Sequence, residues 1–351
     1  MEESLTRESE KLARSWQRHD RAWLRDYLVA GVEDPRLNLQ SIFSRHFLAR
    51  QLTGETFSAL MREECRFSAV MNWLVLLAGR SAEAEELDTV LYALRRGADN
   101  AEGTEIPSFV AQTFAGLPVS LGSVQVPNYV ESFLSGTTFG QGHAQPHEPS
   151  LRVFQELWRG VLAPFPAPAP RLSVLEPACG SANDYRFLHA YGLAPLLDYT
   201  GFDLCDANVE NALALFPGVR FGVGNVFNID APAAAFDVCF VHDLFEHLSI
   251  SGMETAVREI CRVTRRGLCL GFFQMEELRD HVVRPVDEYH CNLLSMARMK
   301  SLFASLGYEG QVIHIATFLR GEFGCDYTHN PQAYTFLLER REEMASAGCP
   351  R

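Results

Sequence analysis

The chain contains no Cys-x-x-Cys pair, although it has nine cysteines among its 351 residues. They are odd in number and scattered, and several sit inside apolar runs such as "FDVCFV" and "GLCLGFF". A zinc site or a disulfide framework needs paired spacing, so neither is expected, and this usage fits a reducing cytoplasm. The N-terminus lacks a basic segment followed by an apolar one, so no secretory leader is read there. Long hydrophobic runs are missing too. The longest, "AVMNWLVLLAG" at 69–79, falls short of the ~20 apolar residues a membrane-spanning helix needs. Positive charge is in short supply: 31 Lys and Arg against 44 Asp and Glu leave a formal net charge of -13. That balance repels phosphate backbones and argues against a nucleic-acid partner. The loop in "VLEPACGSANDYRFL" at 174–188 has one glycine where a dinucleotide-binding loop keeps three. Without G-x-G-x-x-G there are no glycine amides to grip a pyrophosphate, so NAD and FAD are disfavoured.

The composition that remains, 47% hydrophobic and 21% charged, can bury a sizeable core. The length suggests two units. Glycine- and proline-rich breaks at 135–150 and 163–170 mark the boundaries. Residues 1–135 are expected to form an all-helical domain, 136–170 linker loops with a helix at 151–162, and 171–345 an α/β domain. In the first part, helices are expected at 4–30, 38–52, 55–80 and 82–97. Phe67, Val70, Met71, Leu74 and Leu77 recur at three- and four-residue spacing and mark one buried face. In the last part, strands are expected at 172–176, 199–203, 219–223, 236–241 and 267–273, with helices at 183–191, 207–215, 252–264 and 295–306. Strands alternating with helices imply a parallel, doubly wound sheet covered on both faces. Two further strands, in "GQVIHIATFLRG" and "QAYTFLLERR", have no helix expected between them and should pair antiparallel at one edge.

In such a sheet a ligand sits at the carboxyl ends of the strands, where the first loop cradles it. Gly180 is available there for close backbone approach. Asp203, 23 residues after Gly180 at the tip of the second strand, has the position from which a carboxylate accepts two ribose hydroxyls. The competing reading is that Asp203 only begins a turn, and Asp206 is expected to cap the next helix. The fourth strand, "FDVCFVHDLFEHL", runs apolar and then turns abruptly polar.

Taken together, these segments resemble the class I S-adenosylmethionine-dependent methyltransferases over about residues 150–340. The resemblance implies a Rossmann-like seven-stranded sheet with an antiparallel last strand, and S-adenosylmethionine as cofactor. It implies that Glu176 and Gly180, with backbone from Ala178 and Cys179, line the methionine part. Asp203 would hold the ribose, Leu204 would pack on the adenine, Asn225 and Val226 would meet the adenine amino edge, and His242 would close the site. Family members commonly have glycine where Ala178 and Ala182 stand and aspartate where Asn225 stands. Asparagine keeps a carbonyl oxygen for a purine edge. "PACGSA" is also similar to adenine-specific DNA methyltransferases, but their Asn/Asp-Pro-Pro-aromatic motif is absent; "HDLF" stands there instead.

Oxygen and nitrogen acceptors usually need a base. The candidates are His242, Asp243, Glu246 and His247 in "HDLFEHL", and Tyr289, His290 and Asn292 in "DEYHCNLLS"; His242, His247 and His290 lead as catalytic residues, since imidazole titrates near neutrality. A metal cluster of His242, Glu246 and His247 is disfavoured because no further ligand is evident. Phe139, Gln141 and His143 lie in a glycine-rich loop placed to fold over the cofactor, with a flexible connector as the competing reading. Arg45, His46, Arg66 and Asn72 are polar residues within apolar helical patterns, equally suited to a pocket or to helix-helix hydrogen bonds. The expectation is a cytoplasmic small-molecule methyltransferase, in secondary metabolism and as a homodimer, with no nucleic-acid or membrane partner. A peptide or protein methyltransferase docking through the helices, and a non-catalytic cofactor-binding protein, are the alternatives.

Overall fold

The structure is a computed structural model. It describes residues 3–27, 36, 38–80, 89–90, 92–94, 96–98, 100–101, 103–114, 120–121, 124–125, 138–140, 143–145, 148–165, 170–328 and 330–341. Helices come first: α1 (Glu3–Gln17), α2 (Arg21–Asp26), α3 (Leu39–Thr53), α4 (Ser58–Arg80), α5 (Ser108–Phe114) and α6 (Glu148–Leu162). The single helix expected over 4–30 is broken, because Asp20 accepts from the Trp23 amide and caps a separate α2. Much of the helix expected at 82–97 lies outside the described residues.

The α/β part follows as β1 (Leu172–Pro177), α7 (Tyr185–Ala190), β2 (Leu197–Asp203), α8 (Asp206–Leu215), β3 (Arg220–Val223), β4 (Phe236–His242), α9 (Ile250–Val263), β5 (Thr264–Phe272), α10 (Met296–Ser305), β6 (Tyr308–His314), α11 (Ile315–Phe323) and β7 (Tyr334–Arg340). The seven strands form one sheet in the order β6-β7-β5-β4-β1-β2-β3. β7 runs antiparallel to both β5 and β6, while β1 to β5 are parallel. Contrary to expectation, the nine-residue α11 stands between the last two strands. Its start immediately after β6 leaves the antiparallel pairing intact. Asp206 is the first residue of α8 rather than its cap; Cys205 occupies the cap position without a side-chain bond.

Alternate residues of each central strand face opposite sides, so the sheet divides the core in two. Val238 and Phe240 of β4 pack with the N-terminal helices, α6 and α7. Cys239 and Val241 pack with α9 and α10, joined by Leu5 and Leu12 of α1. The helix α3 is buried all round, with eleven consecutive buried residues from Leu39 to Ala49, as befits a helix sandwiched between other elements. It lies on β5 and β7. Two glycines of β5 permit this close approach: a Cβ on Gly267 would sit 2.7 Å from Phe47, and one on Gly271 would sit 3.1 Å from Gln40. The N-terminal helices therefore share a hydrophobic core with the sheet, and α1 and α2 reach over the carboxyl ends of its strands.

Candidate active site

After β1 the chain turns through Ala178, Cys179, Gly180, Ser181 and Ala182. Ala178, Gly180 and Ala182 adopt left-handed backbone, with φ of 56°, 54° and 62°. Only glycine enters this region freely; an alanine there costs about 1–2 kcal/mol. The loop therefore keeps the path that glycines would give it and stores strain at two positions. The Gly180 amide donates to Asp203 Oδ2 at 2.9 Å, and the Cys179 amide donates to the Phe202 carbonyl at 3.0 Å. Asp203 Oδ1 accepts from the Cys205 amide at 2.8 Å and from Asn208 Nδ2 at 3.3 Å. The tips of β1 and β2 are thus tied through one carboxylate. Burial raises the Asp203 carboxyl above the usual carboxylate range, against the pull of these donors.

Beside Asp203, a cavity runs along the strand tips, and Phe202, Leu204, Asn225 and Val226 line its β2–β3 end. Asn225 Oδ1, the oxygen expected to meet the adenine, accepts from the Phe227 amide at 2.9 Å and closes the turn after β3. An incoming amino group has to share it.

At the centre, Glu176 is buried and accepts a short bond from the Tyr199 hydroxyl. Burial and then the nearby Asp184 carboxylate push the Glu176 carboxyl well above its ordinary range. Asp184 also accepts from His242 Nδ1 at 2.7 Å, and His242 Nε2 meets Ser44 Oγ of α3 at 2.9 Å. Ser44 commits its proton to the Gln40 carbonyl, 2.9 Å away, so His242 Nε2 must donate as well. Burial pulls this imidazole down, but the Asp184 carboxylate outweighs it and holds the ring protonated well above its ordinary range. His242 lines the cavity, its ring held between Asp184 and Ser44 of α3. Both of its ring nitrogens are engaged in the free protein. Ser44 is not a nucleophile: it is fully buried within α3 and does not line the cavity.

Asp243 follows in left-handed backbone, with φ of 53°, and directs its carboxylate to His247 Nε2 at 3.1 Å. His247 Nδ1 donates to the His290 carbonyl at 3.0 Å. Burial lowers the His247 ring, but the bond to Asp243 prevails and raises it to about 9. His247 lines the cavity, with both ring nitrogens engaged, one by Asp243 and the other by the His290 carbonyl. His290 contributes its carbonyl to this arrangement, and its ring is not among the groups lining the cavity. The fully buried Glu246 accepts from the Phe273 amide at 2.6 Å through Oε1, while Oε2 has no partner. Burial raises its carboxyl to about 6.

Over the strand tips, α1 and α2 supply Leu12, Trp16, Leu24 and Tyr27. Trp16 and Tyr27 meet edge to face at 5.6 Å. From α3 and its cap come Asn38, Leu39 and Gln40, and from α4 come Ser68 and Asn72. Arg45 and His46 make helix-helix bonds instead. Arg45 donates twice to Glu64 Oε1, at 3.0 and 2.7 Å; His46 Nε2 meets Glu64 Oε2 at 2.6 Å; and Trp158 Nε1 donates to Glu64 Oε1 at 2.8 Å. Arg66 pairs with Glu63 at 3.4 Å. Phe139 and His143 face each other's neighbours in a small hairpin, 138–140 with 143–145, and Gln141 lies outside the described residues. Ser44 and Asp184 were missed in the sequence, whereas Asp243 was a candidate there, as a base. Neither carries a local signature, because their partner His242 lies 198 and 58 residues away.

The sheet order, the strand-tip cavity and the Glu176–Asp203 pair define the class I methyltransferase fold. Residues 175–270 match the family model described as a methyltransferase domain; the chain carries a class I S-adenosylmethionine-dependent methyltransferase domain. No curated protein matches it. Solved structures similar to it include an S-adenosylmethionine-dependent methyltransferase from Methanosarcina mazei, at 14% identity, 49% of this chain, 94% of that one and a TM-score of 0.39. Another is the Burkholderia thailandensis 1,6-didemethyltoxoflavin-N1-methyltransferase with bound 1,6-didemethyltoxoflavin and S-adenosylhomocysteine, at 15% identity, 54% and 76% coverage and a TM-score of 0.38. A third is an S-adenosylmethionine-dependent methyltransferase from Mesorhizobium loti, at 12% identity, 52% and 97% coverage and a TM-score of 0.37. Among the described residues no helix is long and apolar enough to cross a membrane.

Proposed function

We propose that the chain methylates a small molecule, in secondary metabolism, with the N-terminal helices building the acceptor pocket. The observation that carries this reading is the roof. The cavity at the strand tips is overlaid by Leu12, Trp16, Leu24, Leu39 and Asn72 from four separate helices, which suits an enclosed small ligand better than an extended peptide. The cofactor fits the residues present: acidic groups stand at the tips of β1 and β2, and the buried Asn183 Oδ1 on the cavity wall has no partner. S-adenosylmethionine, when bound, supplies an electrophilic methyl group on a sulfonium. Asp203 would accept from the ribose, Leu204 and Val226 would cover the adenine, and Glu176, Ala178, Cys179 and Gly180 would line the methionine part. His242 holds the loop in place.

With His242 and His247 both protonated, the chain contributes mainly position and the exclusion of water by Leu244, Leu248 and Phe273. The formal charge of -13 supports a reading without a nucleic-acid partner. Release of S-adenosylhomocysteine measured against a panel of small acceptors and of peptides tests the proposal. Turnover of a small acceptor is expected. Turnover of peptides alone transfers the assignment to a protein methyltransferase, and tight S-adenosylmethionine binding without any turnover leaves a cofactor-binding protein.

A further inference from the structure

The strand order divides the cavity. The tips of β1, β2 and β3 carry Glu176, Asp203 and Asn225 on one side, and on the other the residues just after β5 and β6 and just before β7 are Phe273, Ile315 and Ala333. The second end is completed by Ser68 and Asn72 of α4. Among the described residues, none that α4, β6, β7 and their connections contribute to the wall is ionisable.

Asn72 is only 4% exposed. Its Nδ2 donates to the Ser68 carbonyl at 2.8 Å, which a carbonyl oxygen could not do, so the orientation of the amide is settled by chemistry. Its Oδ1 is buried and without a hydrogen-bond partner, on a residue that lines the cavity. A buried acceptor left unpaired costs about 1–3 kcal/mol, and such a group on a cavity wall calls for a ligand.

We propose that Asn72 is a specificity-determining residue for the acceptor, which is an uncharged, largely apolar molecule presenting an N–H or O–H donor to Asn72 Oδ1. This rests on the small-molecule reading above and adds the chemistry of the substrate. A charged acceptor finds no counter-charge at this end of the wall. An acceptor without a donor leaves the amide oxygen unpaired in the complex.

Binding of 2-naphthol and of 2-methoxynaphthalene to the full chain saturated with S-adenosylhomocysteine, followed by calorimetry, tests this directly. The two probes share an apolar body and differ in the donor. The unmodified protein is expected to prefer 2-naphthol by about tenfold, the worth of one buried hydrogen bond. Asn72→Leu is expected to erase that preference and leave S-adenosylhomocysteine affinity unchanged. Equal binding of both probes by the unmodified protein, which needs no variant to fold, overturns the assignment of Asn72 alone. So does a preference that survives in Asn72→Leu, or a matching loss of S-adenosylhomocysteine affinity, which would give Asn72 to the cofactor. If neither probe binds while S-adenosylhomocysteine does, the small apolar acceptor falls with it.

Discussion

Ala178 and Ala182 hold backbone angles that a glycine would hold without strain. Two effects of similar size compete when Ala178 becomes glycine. Strain of about 1 kcal/mol is relieved, while the added freedom of the unfolded chain costs about 0.5–1 kcal/mol. Ala178→Gly should therefore shift stability by less than about 1 kcal/mol, whereas Ala178→Val, β-branched at positive φ, should lose at least about 2 kcal/mol in urea unfolding. His247 makes a second prediction. Its folded pKa of about 9 lies above the ordinary imidazole value of 6.5. Its contribution to stability is thus fully present below about pH 6.5 and fades as pH rises through about 9. His247→Gln should destabilise the protein at pH 6 and much less at pH 10, which thermal unfolding at the two pH values would show. The opposite trend would mean that the ring is neutral and free to act as a base.

At the level of elements, α3 holds the helices, the cofactor loop and the sheet together. Its N-terminal end is capped by Asn38, whose Oδ1 accepts from the Ser41 amide at 2.8 Å. Its polar residues face Glu64 on one side and His242 on the other. Glu64 holds Arg45, His46 and Trp158 at once, so Glu64→Ala leaves a buried guanidinium uncompensated and should cost about 3–5 kcal/mol. Because Glu64 does not line the cavity, S-adenosylhomocysteine affinity of the folded fraction should be unchanged. Gly271→Ala should act differently. Its Cβ would stand 2.5 Å from His242 Cδ2 and 3.1 Å from Gln40 Nε2. It should therefore weaken both stability, by about 1–3 kcal/mol, and cofactor binding, by displacing the clamp. The helix over 38–52 was readable in the sequence, but its complete burial was not, because Arg45 and His46 suit a pocket and helix-helix hydrogen bonds equally until their partners are in place.

For the whole molecule, an acidic chain carries an acidic cavity in which Glu176 and Asp203 are both pushed upward by burial. A cofactor bearing a sulfonium and an ammonium lowers those carboxyls when it binds. Where these carboxyls are still partly protonated, binding should therefore release protons, visible as a binding heat that varies with the ionisation heat of the buffer, and Glu176→Gln should reduce the release. Binding heats independent of buffer would mean that Glu176 is already ionised in the free protein.

The strands, their alternation with helices, the loop after β1 and the acid at the tip of β2 all follow from local pattern. Period-two and period-four spacing and a polar residue after an apolar run are properties of neighbours in the chain. The chemistry of the site does not follow in this way. Whether a histidine is a base or an imidazolium depends also on Asp184 and Ser44, 58 and 198 residues from His242, and on the His290 carbonyl, 43 residues from His247, which only the fold brings together. Asn72 became a candidate for the acceptor by the same route: its spacing places it on α4, and folding alone decided that it would line the cavity with its amide oxygen buried and unpaired.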